Sequence, residues 1–301
     1  MKDERLIRKA YSEIVAGYTV SKYKGEYIFV KHFSPIDLLE FDYKYELALS
    51  EAIKRGIPTE EESLKLLCRD GLWGKDKEEE IKNTKEMITI LDSNKRKHFA
   101  PKEIASFNQQ IKDNEKYLIK LLTERAYKIG GTAETFARKR VDTDQVFHSF
   151  FKDAELKELL FKSKDIDELD NEDTQGILRL YERALESISH KMVRLAALSN
   201  DFQAIYSMAE NIYEFYGKPV SKLTKSQVDL ARYGTFYKNI LSDEVKPPQE
   251  VINEPDDLED WYNGRMNLNE IIEKNSDVED GKTVSVVGVS KKDLNFYGIS
   301  T

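Results

Sequence analysis

Apolar side chains recur every three to four positions along most of the 301-residue chain, the spacing that gathers them on one face of a helix. Residues 18–33 depart from it. There, Tyr18-Thr19-Val20 and Tyr27-Ile28-Phe29-Val30 are β-prone runs on either side of Lys24-Gly25-Glu26, which predicts a small hairpin. Ser34-Pro35 then supplies an N-cap and a proline suited to a first helical turn, and helical spacing continues over 36–55 until Gly56. Thr59 followed three positions later by Glu62 has the form of a capping box and starts another helix.

Over 75–129 the pattern becomes a heptad. Ile81, Thr84, Ile88 and Leu91 take its a and d positions, and after Pro101 so do Ile104, Phe107, Ile111, Asn114, Leu118 and Leu121. Two long helices folded into an intramolecular hairpin are expected. The seam is narrow and the flanks are charged (Lys75-Asp76-Lys77-Glu78-Glu79-Glu80, Lys95-Arg96-Lys97), so the hairpin should project from the body and contact it little. Gly130-Gly131-Thr132 ends this region. Helices are predicted at 132–136, 144–151, 156–161, 173–216 with a break at Asn200-Asp201, and 224–241, the last opened by the capping box Thr224-Lys225-Ser226-Gln227. Phe202, Tyr206, Tyr213, Phe215, Tyr216, Tyr233, Phe236 and Tyr237 read as core. A short strand is predicted at 283–289 and a helical turn at 290–294. The fold class is therefore mostly α: a helical bundle with a projecting helical hairpin, a small N-terminal β-hairpin and a short C-terminal strand. Its expected divisions are 1–74, 75–129, 130–241 and 242–301.

Composition sharpens this picture in the last segment. The net charge is −8, yet residues 242–281 hold thirteen acidic and three basic side chains, which leaves the rest of the chain slightly positive. The acidity is a property of this tail, and a basic field over the whole molecule is excluded. Pro247-Pro248 and Pro255 predict extended backbone within it. One cysteine, Cys68, excludes an internal disulfide and fits a reducing compartment. No apolar run approaches the ~18 residues of a membrane span, and Met1-Lys2-Asp3-Glu4-Arg5 does not open a signal peptide, so a cytosolic protein without membrane contact is expected.

The search for chemistry ends mostly in exclusions. Gly130-Gly131-Thr132 and Gly71-Leu72-Trp73-Gly74 lack the frame of a phosphate loop. His32, His98, His148 and His190 are scattered without metal-ligand spacing, and Cys68 lies among Leu64, Leu66 and Leu67 as a small helix hydrophobe. No catalytic, cofactor-binding or metal-binding residue is expected. Lys95-Arg96-Lys97 and Arg138-Lys139-Arg140 read as solvated helix faces, with phosphate contact as the alternative. The candidate contact set is Asp256, Asp257, Glu259, Asp260, Trp261 and Tyr262, because an acidic linker has no use for Trp-Tyr. Either these aromatics fold back onto the body, or they anchor a second protein with a basic surface.

Several short runs carry a family resemblance. They are Tyr27-Ile28-Phe29-Val30-Lys31-His32, Glu51-Ala52-Ile53 with Gly56-Ile57-Pro58-Thr59-Glu60-Glu61, and Asp70-Gly71-Leu72-Trp73. Further on come Tyr216-Gly217-Lys218-Pro219 with Leu223-Thr224, and Pro247-Pro248-Gln249-Glu250-Val251-Ile252 followed by Asp256-Asp257-Leu258-Glu259-Asp260-Trp261. In this order the chain resembles tailed-bacteriophage proteins of virion structure and assembly. That resemblance implies a non-enzymatic protein, in the host cytoplasm or the virion, whose partners are other phage proteins. The competing expectation is a nucleic-acid-associated phage protein whose acidic tail covers its basic runs.

Overall fold

The computed structural model describes residues 4–98, 100–162, 169–209, 211–276 and 295–298. In chain order its elements begin with α1 (Glu4–Ala16), β1 (Tyr18–Tyr23), β2 (Glu26–Lys31), α2 (Pro35–Lys54), α3 (Glu60–Arg69), α4 (Lys75–Lys95), α5 (Pro101–Ile129) and α6 (Ala133–His148). After β3 (Phe150–Phe151) come α7 (Asn171–Ser187), α8 (His190–Leu198), α9 (Asn200–Tyr206), α10 (Ile212–Tyr216), a 3-10 turn (Val220–Lys222), α11 (Lys225–Ser242) and α12 (Pro255–Ser276). The fold is mostly α with one small antiparallel sheet, as expected. It divides into two compact units, Met1–Ile57 with Ala133–Asn239 and Pro58–Thr132 with Ile240–Thr301. Each unit thus joins two separated stretches, unlike the four consecutive segments expected.

In the first unit, β1 and β2 pair from Tyr18 opposite Lys31 to Tyr23 opposite Glu26. Lys24 and Gly25 both have positive φ, 49° and 88°, the turn whose twist matches that of the strands it joins. A third strand was not foreseen. Phe150-Phe151 was expected inside a helix, but α6 ends at His148 and Phe29 and Val30 pair with Phe151 and Phe150. The helices expected at 132–136 and 144–151 are one continuous α6. Residues 156–161 turn instead of coiling: the Asp153 carboxylate accepts from the amides of Lys157 and Glu158, and Leu156 has a φ of 55°. The stretch 173–216 divides into α7 to α10, with the Ser199 hydroxyl accepting from the Phe202 amide beside the break foreseen at Asn200.

Ile28 and Val30 of the sheet, Val146 and Phe147 of α6, and Ile177 and Ala184 of α7 close on Phe150 and Phe161 as a core. Each fully buried large side chain there contributes roughly 1.5–3 kcal/mol. A second aromatic group centres on fully buried Phe202, with Tyr11, Tyr206 and Phe215 at centroid distances of 5.8, 4.8 and 5.5 Å. Gly234 of α11 makes room for it, since a Cβ there would overlap the Phe202 ring. The box that opens α11 forms as expected: the Gln227 amide donates to Thr224 Oγ1 at 3.2 Å and the Thr224 amide to Gln227 Oε1 at 3.0 Å.

In the second unit, Thr59 and Glu62 form the expected reciprocal cap. The heptad reading of α4 and α5 also holds. Ile81, Thr84, Leu91, Ile104 and Leu121 are buried, and Ile88, Phe107, Ile111, Asn114 and Leu118 are half-buried between exposed neighbours. The hairpin does not stand clear of its unit, however. Leu64 and Leu67 of α3 and the buried Trp73 pack against Ile81, Leu118 and Leu121. The Trp73 indole N–H and Arg125 Nε both donate to Glu78 Oε1 at 2.7 Å, and Arg125 also holds Glu60 at 2.8 Å. Burial alone would raise the pKa of the Glu78 carboxyl, but the bonds from Arg125 and Trp73 outweigh it and hold the group below the usual carboxylate range. The strand expected at 283–289 and the turn at 290–294 lie outside the described residues.

Candidate protein-contact surfaces

The acidic segment is a helix from Pro255 onward, not the extended linker that its prolines suggested. Pro255 occupies the first helical position, where its missing N–H costs nothing, and Asp256 and Asp257 sit in the first turn, where the helix dipole favours negative charge. Leu258, Trp261, Arg265 and Leu268 fall three and four residues apart and are all buried. Trp261 is 2% exposed; its indole N–H donates to the Phe296 carbonyl at 2.9 Å, and its ring stacks on Tyr297. Tyr297 is seated against Gly264, where a Cβ would clash with its ring. Arg265 reaches Asp243 at 3.0 Å, a bond that lowers the Asp243 pKa.

This geometry divides the candidate contact set. Trp261 folds back into its own unit, the first of the two alternatives, and is corrected as an anchor for a second protein. Asp260 is also engaged internally: it pairs with Lys95 at 3.0 Å and accepts from Asn108 Nδ2 at 3.0 Å, with both charged side chains about four-fifths buried (19% and 18% exposed). The Asn267 amide group donates to the Arg96 carbonyl. Glu259 and Tyr262 are half-buried, and Asp256 and Asp257 are exposed. No single outward patch unites the six residues.

An apolar face that reaches solvent lies on α2. Its inner side carries Phe41, Ala48 and Ala52, which are buried as α2 packs along α6. On the opposite side Ile36, Leu39, Tyr43 and Leu47 recur at steps of three, four and four residues, with exposures of 53, 64, 66 and 54%. The polar residues beside the inner face are spent within the unit. Lys44 Nζ holds Asp144 at 2.6 Å and Glu40 at 3.2 Å, and Glu51 holds Arg140 and Arg55 at 2.7 and 2.5 Å. Burial tends to lower the Lys44 pKa, and the two carboxylates outweigh it and raise it. Apolar spacing over 36–55 predicts a helix without saying which of its sides is left to solvent. The available signal was surplus: Ile36, Leu38, Leu39, Phe41, Tyr43, Tyr45, Leu47 and Ile53 exceed what one face can hold.

Both basic runs have internal partners. Arg138 lies 4.7 Å from the Tyr45 ring centroid, Arg140 pairs with Glu51, Lys95 with Asp260 and Arg96 with Asp92. Each histidine has a local partner: His32 meets Thr19, His98 meets Glu103, His148 meets the Asp144 carbonyl and His190 meets the Tyr233 hydroxyl. Cys68 is on α3 as expected, but exposed. Among the described residues no three or more His, Cys, Asp or Glu side chains are grouped to hold a metal, and no helix is long and apolar enough to cross a membrane. Comparison with protein-family models, curated proteins and solved structures finds no match.

Proposed function

We propose that this chain is a non-enzymatic helical assembly protein of a tailed phage, either a virion component or a morphogenesis factor, and that it works by binding other phage proteins through α2. The outward strip of α2 carries the reading. A surface helix that turns Ile36, Leu39, Tyr43 and Leu47 to water while burying mainly Phe41 and two alanines has the form of a binding helix, whose apolar anchors recur along one face. Support for the phage context is the resemblance carried by the short runs from Tyr27 to Trp261. The test is capture from infected cells. A tagged chain should co-purify with a phage structural protein at defined stoichiometry, and Leu39→Asp with Tyr43→Asp should abolish this without changing the circular dichroism. Mass spectrometry of purified virions then separates component from assembly factor by copy number.

One observation favours the second reading, a nucleic-acid-associated protein. Asp260 on Lys95, with Asn267 at the Arg96 carbonyl, is the contact that an acidic helix covering a basic run would make. Asp260→Asn should then strengthen binding to duplex DNA, with an affinity that falls steeply as salt rises. Unchanged, negligible DNA binding would remove this reading.

A further inference from the structure

The residues flanking the outward strip of α2 indicate what covers it. Glu40 and Glu51 run along one side of Ile36, Leu39, Tyr43 and Leu47, and Asp42 and Glu46 along the other. Glu40 is paired with Lys44, and Glu51 with Arg55 and Arg140. Asp42 and Glu46 are exposed. A second copy of the chain is a poor occupant. Antiparallel pairing of two such strips sets the Asp42/Glu46 edge against itself, and parallel pairing sets it against the Glu40/Glu51 edge. The cations on that edge, Lys44, Arg55 and Arg140, are already shared with Glu40, Asp144 and Glu51. The antiparallel arrangement brings acid toward acid beside an apolar seam, which costs affinity, and the parallel one offers Asp42 and Glu46 no unspent cation on the facing edge.

Resting on α2 as the contact helix, we infer that its occupant is a basic amphipathic helix of another protein. Such a helix has apolar residues three and four apart to cover Leu39, Tyr43 and Leu47, and Lys or Arg along the edge that meets Asp42 and Glu46. The apolar strip supplies the buried area, and the acidic edge sets orientation and encounter rate.

Two synthetic helical peptides of about 18 residues, near the length of α2, test this on the full chain by fluorescence anisotropy. They share one leucine strip and differ only in flanks, Lys/Arg in one and Glu in the other. The basic peptide should bind and the acidic one should not. Leu39→Asp should weaken binding at least tenfold, and Leu39→Gln, which keeps helix propensity, should weaken it in the same direction. Asp42→Asn with Glu46→Gln should slow association and flatten its salt dependence, whereas Asp256→Asn with Asp257→Asn, neutralising acids of α12, should leave binding unchanged. Equal losses from both neutralised pairs would overturn the inference, because binding would then follow net charge. A dimer of the free chain that Leu39→Asp dissociates would overturn it in favour of a second copy. If capture from infected cells still depends on Leu39 while the peptides show no preference for basic flanks, the partner chemistry fails and the binding helix survives. Indifference of both assays to Leu39 and Tyr43 sinks both.

Discussion

His32 is a titratable ring buried in the fold. It is 5% exposed, its Nε2 lies 3.0 Å from Thr19 Oγ1, and its Nδ1 has no hydrogen-bond partner. Thr19 Oγ1 is in turn 3.4 Å from Ser187 Oγ, which donates to Glu13 Oε2 at 2.8 Å, with Lys9 on the other Glu13 oxygen. Burial pushes the His32 pKa down to about 4. The folded state therefore refuses a proton that the unfolded chain accepts below about pH 6.5. The contribution of His32 to stability is fully present above that pH and is lost progressively as pH falls toward 4, by about 3 kcal/mol in all. Urea titrations across this window should show that slope, and His32→Gln should flatten it; an unchanged slope in the variant would place the dependence elsewhere. Trp261 gives a second test at this scale. In a Trp73→Phe background its emission should already be blue-shifted in the free protein, and Trp261→Ala should destabilise the chain by about 3–5 kcal/mol, the usual cost of emptying an aromatic site. A red-shifted maximum would contradict its burial.

Among the elements, those whose information is local were the ones legible beforehand. The Ser34, Thr59 and Thr224 caps, the Lys24-Gly25 turn and the heptad from Ile81 to Leu121 each depend on residues within a turn or two of one another, and each formed. Elements decided by distant partners were misread. Phe150-Phe151 has helical neighbours but is drawn into the sheet by pairing with Phe29 and Val30, more than a hundred residues earlier. The acidic helix has a readable start in Pro255-Asp256-Asp257, within a run whose prolines and repeated acids otherwise disfavour a helix. Its packing on Phe296 and Tyr297 had no local signal at all. The contact surface was likewise half legible: spacing showed that α2 is amphipathic, but only the placement of α6 shows which side is left uncovered. Gly264→Ala checks the seat of α12. The added methyl would meet the Tyr297 ring and hydroxyl, so Tyr297 must move, which should cost about 1–3 kcal/mol and shift Trp261 emission to the red. A fully native spectrum and stability would show that Tyr297 does not rest there.

At the scale of the whole molecule, the chain order of the helices conceals how the cores are assembled. The break read at Gly130-Gly131-Thr132 coincides with a unit boundary, but the units it separates are not consecutive: the stretch before it, 58–132, shares a unit with the residues from Ile240 onward, and the stretch after it rejoins the N-terminus. This revises what loss of the hairpin should do. The narrow a/d seam and charged flanks suggest that residues 75–126 can be replaced by a Gly/Ser linker without consequence. In the structure that replacement removes Ile81, Leu118 and Leu121 from around Trp73, and Lys95 and Asn108 from Asp260. The second unit should therefore lose its packing. The first has a core drawn wholly from its own stretches, around Ile28, Phe147, Phe150 and Ile177, and should keep folding. Fluorescence separates the two outcomes, because both tryptophans, Trp73 and Trp261, belong to the second unit. The hairpin-deleted chain should show both indoles red-shifted, while far-ultraviolet circular dichroism retains a cooperative thermal transition from the first unit. Native-like emission would mean that the hairpin is dispensable after all, and loss of every cooperative transition would mean that the first unit cannot fold without it.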